Sequence, residues 1–573
     1  MEKRLALAFA ITAVLLVVWQ VFFPPPQPTR NAVAPPAATA PAGGAAAPAT
    51  GTPAAAGAVA GPAAQTVVVR SPLYEYRFST AGAALTGAEL LKYPSYVHKG
   101  ERVQLVPRGA SDVLSGTAAS AARSIDLRTV RFTPSAPRLD LRPGGPAQTL
   151  TFTGTQNGAP VAEVTYTFRP DDYTVDVRGR LLGLGGAGTL TTSLGTGLAP
   201  HDAKEHGTAR ELSFVAWNGR RVEREYLRSI KTGDTISGPL AWAGIKDRYF
   251  LMALVPQKTE FTRLVATDQP DESYSVGSEA LVSPRAAAVV SLPIGADGTF
   301  AYQAYLGPLE HDRLVKVGHQ LEEVNPYGYR WLRPVVRPIA AGVLWAVREL
   351  HANFGMAYGW VLVLFGVLVR LATWPLNARA MRSQMKNMAV QPVMQARMKE
   401  IQTRYADDPR KQQQEMMKMY GELGVSPFSM MSGCLPMLIP MPVLITLFFV
   451  FQGAIEFRGT GFGWLPDLSL RDPLYLLPIL LVVSMFALQW ISTKMSGMAD
   501  NPQAKTMMYT MPVMMGFFFW FMPSGLNLYY VSSNLASLPQ QLLIARERRA
   551  ASEQAKAEEA AKTAKRAPAK QRR

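Results

Sequence analysis

Long runs of apolar residues without a charged side chain constrain this chain more than any other feature. A helix of about 20 such residues crosses the hydrocarbon core of a bilayer. The chain has 573 residues, of which 48% are hydrophobic and only 18% are charged. Five nearly or wholly uncharged runs are long enough to span a membrane, at residues 5–23, 352–378, 423–455, 473–493 and 506–545. These runs exclude a purely soluble protein.

The last run is about twice as long as one span requires. Its 40 residues would form a helix of about 60 Å, and Pro523-Ser524-Gly525 near the middle predicts a turn. We therefore expect two spans there and six in all, near residues 5–23, 357–377, 433–453, 474–490, 507–522 and 526–544. Residues 1–23 lack a small-x-small cleavage site, so an uncleaved signal anchor is favoured over a cleaved signal peptide.

The distribution of basic residues predicts the orientation of the spans. Lys and Arg near span ends are retained on the cytoplasmic side of a membrane. Residues 379–422 carry nine such residues, and the basic tail at 546–573 carries ten. With six spans, both termini then lie in the cytoplasm and the long segment after the first span lies outside. The net charge of +17 also favours contact with anionic lipid or RNA.

The outer segment divides into three parts. Residues 24–64 are almost wholly Ala, Pro, Gly and Thr, which predicts a flexible linker. Residues 65–325 alternate short β-rich runs with Gly, Pro, Asp and Asn, which predicts one large all-β sandwich. Residues 326–355 interleave apolar residues with arginines at helical spacing. This pattern favours an amphipathic helix on the membrane surface, with a helix packed on the sandwich as the alternative.

Few residues could support catalysis or metal binding. Cys434 is the only cysteine and the six histidines are scattered, which excludes a disulfide framework and a Cys/His zinc module. The segment from His201 to His206 has metal-binding side chains, but we expect a solvated loop there, with a metal or catalytic site as the alternative. The sequence contains no Gly-Lys dipeptide, which excludes a phosphate-binding P-loop. This absence argues against an ATP-driven motor.

Arg370 is the one charged residue inside the second predicted span. A charge at the centre of a membrane helix costs about 2.5–3.5 kcal/mol by insertion scales unless water or a partner receives it. The other five predicted spans contain no acidic residue that could pair with it. A water-filled groove in the cytoplasmic half of the bilayer is therefore favoured over a snorkelling arginine or a structural ion pair.

The sixth predicted span carries a polar face that could form a wall of this groove. Its members recur three or four residues apart, which places them on one side of a helix: Asn527, Tyr530, Asn534, Ser537 and Gln541. Thr446 and Gln452 of the third span could join them. Hydrogen bonding between packed helices is the alternative role of these side chains.

Residues 379–422 predict a cytoplasmic helical hairpin. Asp408 can cap its second helix and Pro409 can open it. Twenty-one of the 24 methionines fall between Met381 and Met522. This clustering suits an adaptable surface for varied apolar partners, although gap filling between packed helices is the alternative. We expect the recruitment surface of the hairpin at Met381, Met385, Met388, Met416 and Tyr420.

Five motifs point to one known family. They are Leu368-Val369-Arg370-Leu371-Ala372-Thr373-Trp374-Pro375-Leu376, Gly433-Cys434-Leu435-Pro436, Met441-Pro442, Asp472-Pro473 and Pro523-Ser524-Gly525-Leu526-Asn527-Leu528-Tyr529-Tyr530. With the arrangement of spans, they closely resemble the YidC family of bacterial membrane protein insertases, in its Gram-negative form with a large outer domain. The resemblance covers the whole chain. It implies a periplasmic β-supersandwich and, over residues 356–545, a core of five helices around a hydrophilic groove.

The resemblance also implies roles for individual residues. Arg370 matches the groove arginine of the family, and Tyr530 and Asn534 are further candidates. We expect the residues that contact substrate to be Arg370, Tyr530, Asn534, Asn527 and Thr446. Gly366 stands where some relatives carry a hydroxyl residue, and Pro440 stands where some carry a glutamine. The groove lining would therefore be less polar at those two places.

The partners implied by the resemblance are nascent membrane proteins, which the protein would insert into the inner membrane alone or beside the Sec translocon (SecYEG, SecDF). The hairpin and the basic tail would contact the ribosome and a targeting factor, and the spans would contact the lipid bilayer. No cofactor, metal, nucleotide hydrolysis or enzymatic activity is expected. A secondary transporter for an anionic solute and an anchored sugar-modifying enzyme are the competing classes. The spans show no convincing repeated halves, and the sandwich shows no acid/base pair.

Overall fold

The computed structural model describes residues 64–202, 211–230, 233–276, 279–325, 333–406, 408–422, 441–495, 502–543 and 546. These residues belong to one compact unit, Ala64–Arg573. The predicted signal anchor, nearly all of the predicted linker, the first part of the third span, His206 and the basic tail beyond residue 546 lie outside the described residues.

Among the described residues, twenty β-strands occupy the first half of this unit. They are β1 Thr66–Arg70, β2 Tyr74–Ser79, β3 Leu85–Pro94, β4 Arg102–Gln104, β5 Gly116–Ser120, β6 Ser124–Asp126, β7 Arg131–Pro134, β8 Arg138–Asp140, β9 Gln148–Gln156, β10 Ala159–Phe168, β11 Thr174–Leu181, β12 Gly188–Gly195, β13 Ser213–Trp217, β14 Val222–Tyr226, β15 Asp234–Leu240, β16 Trp242–Lys246, β17 Phe250–Pro256, β18 Phe261–Val276, β19 Glu279–Ile294 and β20 Thr299–Pro308. The β-rich outer domain predicted from the sequence is confirmed.

The strands form three sheets. Five strands have the order β4-β3-β2-β1-β8, nine have the order β14-β13-β16-β17-β20-β11-β10-β9-β7, and six have the order β15-β18-β19-β12-β5-β6. The β1–β8 pair is parallel, and the other paired strands are antiparallel. This arrangement explains the alternating sequence pattern, because an antiparallel strand can bury one face and leave the other more exposed.

Aromatic side chains fill the core between the five-stranded and nine-stranded sheets. In β2, Tyr74, Tyr76 and Phe78 are buried while the residues between them are partly exposed, which is the two-residue period of a strand. The Phe78 ring lies 4.7 Å from that of Tyr166 in β10. Two of the buried tyrosine hydroxyls are satisfied across the core, since Tyr76 donates a 3.0 Å hydrogen bond to the Leu306 carbonyl and Tyr166 donates one to the Ala83 carbonyl.

The second half of the unit is helical. Its helices are α1 His311–Val317, α2 Arg333–Phe354, α3 Tyr358–Arg404, α4 Pro409–Glu422, α5 Met441–Gly453, α6 Leu476–Met495 and α7 Pro502–Phe519, and residues 524–543 form a further helix, α8. The turn predicted at Pro523 is confirmed, because α7 ends at Phe519 and α8 begins at residue 524. Short 3₁₀ turns lie at Leu321–Val324 and Ile455–Phe457.

Two described helical segments are long and apolar enough to cross a membrane, Tyr358–Pro375 and Leu476–Lys494. Val443–Gly453 and Met508–Phe519 are shorter apolar segments. The described residues therefore give a helical core that contains apolar helices, and the count of six spans stays a prediction.

Helix α3 continues without interruption through the second predicted span and into the predicted hairpin. Its 47 residues end at Arg404, and α4 begins at Pro409. The predicted cap is confirmed, because the Asp408 carboxylate accepts a 3.1 Å hydrogen bond from the Lys411 amide. An ion pair of 2.8 Å between Arg397 and Glu422 joins the two helices.

Candidate functional site

Arg370 lies in the part of α3 that is apolar enough to cross a membrane. Its side chain is partly buried, and its Nε atom is buried without a hydrogen-bond partner among the described residues. The guanidinium interacts electrostatically with Tyr529 of α8. A buried donor without a partner is costly, so this position suits a side chain that receives water or a polar group from another molecule.

Helix α8 packs closely against α3 at Gly366, one turn before Arg370. A Cβ atom on Gly366 would lie 3.0 Å from the Tyr529 carbonyl oxygen and 3.3 Å from the Ser532 Cβ. Further along both helices, the Gln540 side-chain amide donates a 3.0 Å hydrogen bond to the Trp374 carbonyl. The two helices therefore run in the same direction, and a small residue allows their backbones to approach.

The predicted polar face of α8 points mainly to other helices. The Asn527 amide donates a 3.1 Å hydrogen bond to the Phe519 carbonyl at the end of α7, and the Tyr530 ring lies 5.0 Å from that of Phe519. The Asn534 amide donates a 3.0 Å hydrogen bond to the Ser484 hydroxyl of α6. These contacts place three of the predicted site residues in the packing of α8 against α6 and α7.

The residues of α8 that meet the Arg370 side of α3 form a second polar face, which the sequence analysis missed. They are Tyr529, Ser532, Ser533 and Gln540. Tyr529 and Ser533 are four residues apart, and Ser533 and Gln540 are seven apart, so helical spacing could have identified this face as well. Thr446, the remaining predicted groove residue, is fully buried in α5.

The hairpin residues proposed for recruitment lie on two helices. Met381, Met385 and Met388 fall within α3, and their side chains lie outside the described part of the structure. In α4, Met416 is partly buried and Met417 is exposed, while the side chain of Tyr420 is also outside the described part. A shared surface for these five residues therefore stays a prediction.

Residues 454–472 make up most of the loop between α5 and α6 and cover one end of the helical core, and we call them the capping loop. The Asp472 carboxylate, which precedes α6, accepts hydrogen bonds from the amides of Leu474 and Leu477, at 3.0 and 2.7 Å, and so holds the start of that helix. The amides of Ser524 and Gly525 donate to the capping loop at the carbonyls of Leu470 and Leu468. The Asp472-Pro473 and Pro523-Ser524-Gly525 motifs thus meet at one place, although 50 residues separate them.

Arg458 of the capping loop is buried in the β-domain. Its Nε atom lies 2.9 Å from Oδ1 of Asp202, and its Nη1 atom donates a 3.0 Å hydrogen bond to the Pro94 carbonyl. The rings of Tyr96 and Phe250 lie 4.7 and 5.2 Å from its guanidinium carbon, within the range of cation–π contact. The side chains of Arg458 and Asp202 are completely buried, so this ion pair joins the capping loop to the β-domain.

The solvated loop expected at His201 and Asp202 is wrong. Both residues are about 1% exposed, because the ion pair with Arg458 and a second one with Asp247 draw them into the junction. The His201 Nδ1 atom lies 2.7 Å from the Ala199 carbonyl, and Nε2 lies 2.7 Å from Oδ2 of Asp247. Sequence alone could not reveal these partners, since Arg458 is 256 residues beyond Asp202.

The charges at this junction influence one another. Burial alone would lower the pKa of the His201 imidazole, but the carboxylates of Asp247 and Asp202 outweigh burial and raise that pKa above its ordinary value. Burial lowers the pKa of the neighbouring Lys246 ammonium to about 7. The Lys246 Nζ atom lies 3.5 Å from the Asn325 side-chain oxygen, beside the end of α5.

Comparison with known proteins covers nearly the whole chain. The family model described as YidC periplasmic domain matches residues 66–341, and that described as 60Kd inner membrane protein matches residues 349–552. A curated relative from Syntrophus aciditrophicus, membrane protein insertase YidC, is 31% identical over 571 residues, which cover 95% of this chain and 99% of the relative. The chain belongs to the YidC family of membrane protein insertases. The predicted family and function are confirmed.

A second relative agrees with this membership. The membrane protein insertase YidC of Ralstonia nicotianae is 32% identical and covers 94% of this chain and 96% of its own length. The crystal structure of an active YidC insertase with its first transmembrane domain resolved covers 83% of this chain and 92% of its own, at 18% identity and a TM-score of 0.34. This YidC-family chain is thus an inner-membrane protein, and its relatives are named as insertases rather than as enzymes.

Proposed function

We propose that this YidC-family protein inserts nascent membrane proteins through a hydrophilic groove in which Arg370 receives the polar part of the substrate. The observation that carries the proposal is the buried Nε atom of Arg370, which lies in an apolar helix and has no hydrogen-bond partner in the part of the chain that the structure describes. Tyr529, Ser532 and Ser533 supply polar groups beside α3. The predicted residues Tyr530, Asn534, Asn527 and Thr446 would complete the lining or support it from behind.

Such a groove would lower the main barrier to insertion. Moving a polar segment through hydrocarbon is costly because its backbone and charged groups lose water. A guanidinium with accompanying water, placed within the membrane, would shorten the apolar path that the segment must cross. Burial of the substrate's apolar segment in lipid then makes the process favourable. The mechanism requires no covalent intermediate and no nucleotide.

We infer six spans with both termini in the cytoplasm and the β-domain in the periplasm. Directions of packed helices support this topology, since α3 and α8 run in the same direction, as the second and sixth spans would. Helices α6 and α7 run in opposite directions, because the Tyr475 ring stacks on that of Trp520 and the Phe486 ring contacts that of Tyr509. The capping loop would then close the periplasmic end of the groove.

The proposed partners follow from the surfaces on the two sides of the membrane. The hairpin exposes Met417 and partly exposes Met416, side chains that adapt to varied apolar segments. This surface and the basic tail would contact the ribosome and a targeting factor. The β-domain and the periplasmic ends of the helices would contact the Sec translocon during joint insertion. The interfacial role of α2 is supported by an exposed Trp345 opposite the buried Val343 and Val347.

The test is insertion of a newly synthesised single-span or double-span protein into liposomes that contain only the purified full-length chain. Protease protection of the translocated segment measures insertion. We expect the wild type to exceed empty liposomes without nucleotide. Arg370→Ala should reduce insertion of substrates with an acidic translocated segment by about tenfold or more, which corresponds to about 1.4 kcal/mol, whereas Arg370→Lys should retain part of the activity.

The matched control is Arg263→Ala, which removes an exposed arginine from β18 of the β-domain. It should insert as the wild type does. Equal insertion by Arg370→Ala and wild type for every substrate tested would contradict the role of Arg370. No gain over empty liposomes with any substrate would contradict insertion by the chain alone, and uptake of anionic solutes would become the next assay.

A further inference from the structure

Three donor atoms of metal-binding side chains converge inside the junction between the β-domain and the capping loop. They are a ring nitrogen of His201 and one carboxylate oxygen each of Asp202 and Asp247, and all lie within 4.8 Å of one another. Nε2 of His201 lies 3.8 Å from Oδ2 of Asp202 and 2.7 Å from Oδ2 of Asp247. The three side chains are between 0 and 1% exposed. Imidazole nitrogen and carboxylate oxygen are ligands that Zn²⁺ accepts.

Each of the three side chains also makes a hydrogen bond or an ion pair through its second polar atom. The Nδ1–H of His201 donates to the Ala199 carbonyl, since a carbonyl can only accept. Oδ1 of Asp247 accepts hydrogen bonds of 2.8 and 2.7 Å from the amides of Tyr249 and Phe250. Oδ1 of Asp202 faces the Arg458 guanidinium. Outer partners of this kind fix the orientation of ligands at metal sites, and here they direct the three remaining donor atoms towards one point.

We propose that His201, Asp202 and Asp247 bind one divalent transition-metal ion, with Zn²⁺ as the best match. In a tetrahedral zinc site with bonds of about 2.1 Å, ligand atoms lie about 3.4 Å apart. Nε2 of His201 lies 2.7 Å from Oδ2 of Asp247 and 3.8 Å from Oδ2 of Asp202, and the three ligand atoms lie within 4.8 Å of one another, so small movements of buried side chains would bring all three to bonding distance. A water molecule would complete the coordination. This proposal differs from the sequence-based expectation that the chain holds no metal.

The charges of the junction accommodate a divalent ion. Two ligand carboxylates balance its two positive charges. The Arg458 guanidinium lies over the Tyr96 ring, and the Tyr96 hydroxyl donates to the Asp467 carboxylate, which supplies a third negative charge nearby. Buried charges are retained in proteins where they are paired or coordinate a metal. The competing occupant of the site is a single proton on Nε2, shared with Asp247.

A bound ion would connect three segments that are distant in sequence. His201 and Asp202 follow β12, Asp247 lies between β16 and β17, and Arg458 links Asp202 to the capping loop. The ion would therefore fix the β-domain to the loop that covers the helical core. Zinc should stabilise this junction whether or not Arg370 acts in insertion, so the two proposals fail separately.

The test uses the full-length protein in detergent, purified without a histidine tag and stripped with a chelator. One equivalent of Zn²⁺ is added, excess metal is removed, and the retained zinc is counted by mass spectrometry. We expect close to one ion per wild-type chain and a higher midpoint of thermal unfolding with zinc. Competition with a coloured chelator should show that Asp247→Asn weakens binding by about tenfold or more. Asparagine keeps the Oδ1 acceptor for the two amides.

Asp268→Asn is the matched control, because Asp268 is an exposed carboxylate of β18. It should bind zinc as the wild type does. His201→Gln is a second variant should Asp247→Asn fail to fold. Replacing Zn²⁺ by Co²⁺ in the wild type allows the absorption spectrum of the bound ion to be recorded. That spectrum reports whether the ligands are nitrogen and oxygen atoms, and the measurement needs no variant. The proposal would be overturned if the wild type retained no zinc. It would also be overturned if Asp247→Asn and His201→Gln both retained as much zinc as the wild type.

Discussion

Buried Arg458 and partly buried Arg370 have opposite surroundings. Arg458 is surrounded by a carboxylate, a carbonyl and aromatic rings, whereas the Nε atom of Arg370 has no partner among the described residues. The sequence identified Arg370 because its apolar surroundings are local. It did not identify Arg458, whose partner Asp202 is 256 residues away and is brought to it only by the fold. Local context can therefore single out a charge in an apolar helix, but it cannot predict a long-range pair.

Gly366 provides a prediction at the scale of one residue. Because a Cβ there would already lie 3.0 Å from the α8 backbone, Gly366→Leu should separate α3 from α8. Overpacking of this kind typically costs about 1–3 kcal/mol. We expect a lower midpoint of thermal unfolding in detergent and reduced insertion in the liposome assay.

Gly342→Leu is the control for Gly366→Leu. Gly342 also lies within a helix, but a Cβ there would meet no atom within 4 Å. Its unfolding midpoint should stay near that of the wild type. If the two variants unfold at the same temperature, close packing of α3 on α8 at Gly366 is contradicted.

Helix boundaries show which elements a sequence can predict. The cap at Asp408 and the turn at Pro523 depend on residues within a few positions, and both predictions are confirmed. The continuous 47-residue α3 was less evident, because its pattern changes from apolar to mixed and because it contains Pro375 and Pro392, a residue type that ordinarily kinks or breaks a helix. The polar faces of α8 were found only in part, since periodicity defines a face but not the helix that it contacts.

Asp472 provides a prediction at the scale of one helix. Its buried carboxylate accepts hydrogen bonds from the amides of Leu474 and Leu477 and from the Trp464 indole. Asp472→Ala should destabilise the start of α6 by about 1–2 kcal/mol, the upper part of the range for a lost cap. Hydrogen exchange should become faster at the amides of residues 474–477.

Asp408→Ala is the comparison for Asp472→Ala, because it removes the cap of α4 in the hairpin. There, faster exchange should be confined to the first turn of α4. Unchanged exchange at residues 474–477 in Asp472→Ala would show that the Asp472 carboxylate does not hold the start of α6.

At the scale of the whole molecule, the β-domain is attached to the helical core through the capping loop. The sequence predicted both parts but not how they join, because the junction is built from side chains of β12, the β16–β17 turn and the capping loop. The Tyr249 hydroxyl donates a 3.1 Å hydrogen bond to the Gln452 carbonyl of α5, beside the Arg458–Asp202 pair. Closely spaced buried contacts of this kind join the β-domain to the capping loop at the end of the core.

Breaking the Arg458–Asp202 pair tests this attachment. Removal of one partner leaves a buried charge, so Arg458→Met or Asp202→Asn should each cost about 3–5 kcal/mol, whereas the double variant should cost less than the sum. Opening of the junction is measured by hydrogen exchange in the capping loop, with a chelator present so that bound metal does not contribute. Arg471→Met, a change in the same loop without a carboxylate partner among the described residues, should have a smaller effect. Additive effects in the double variant would mean that the two side chains act independently, and the capping loop would then be held by its other contacts.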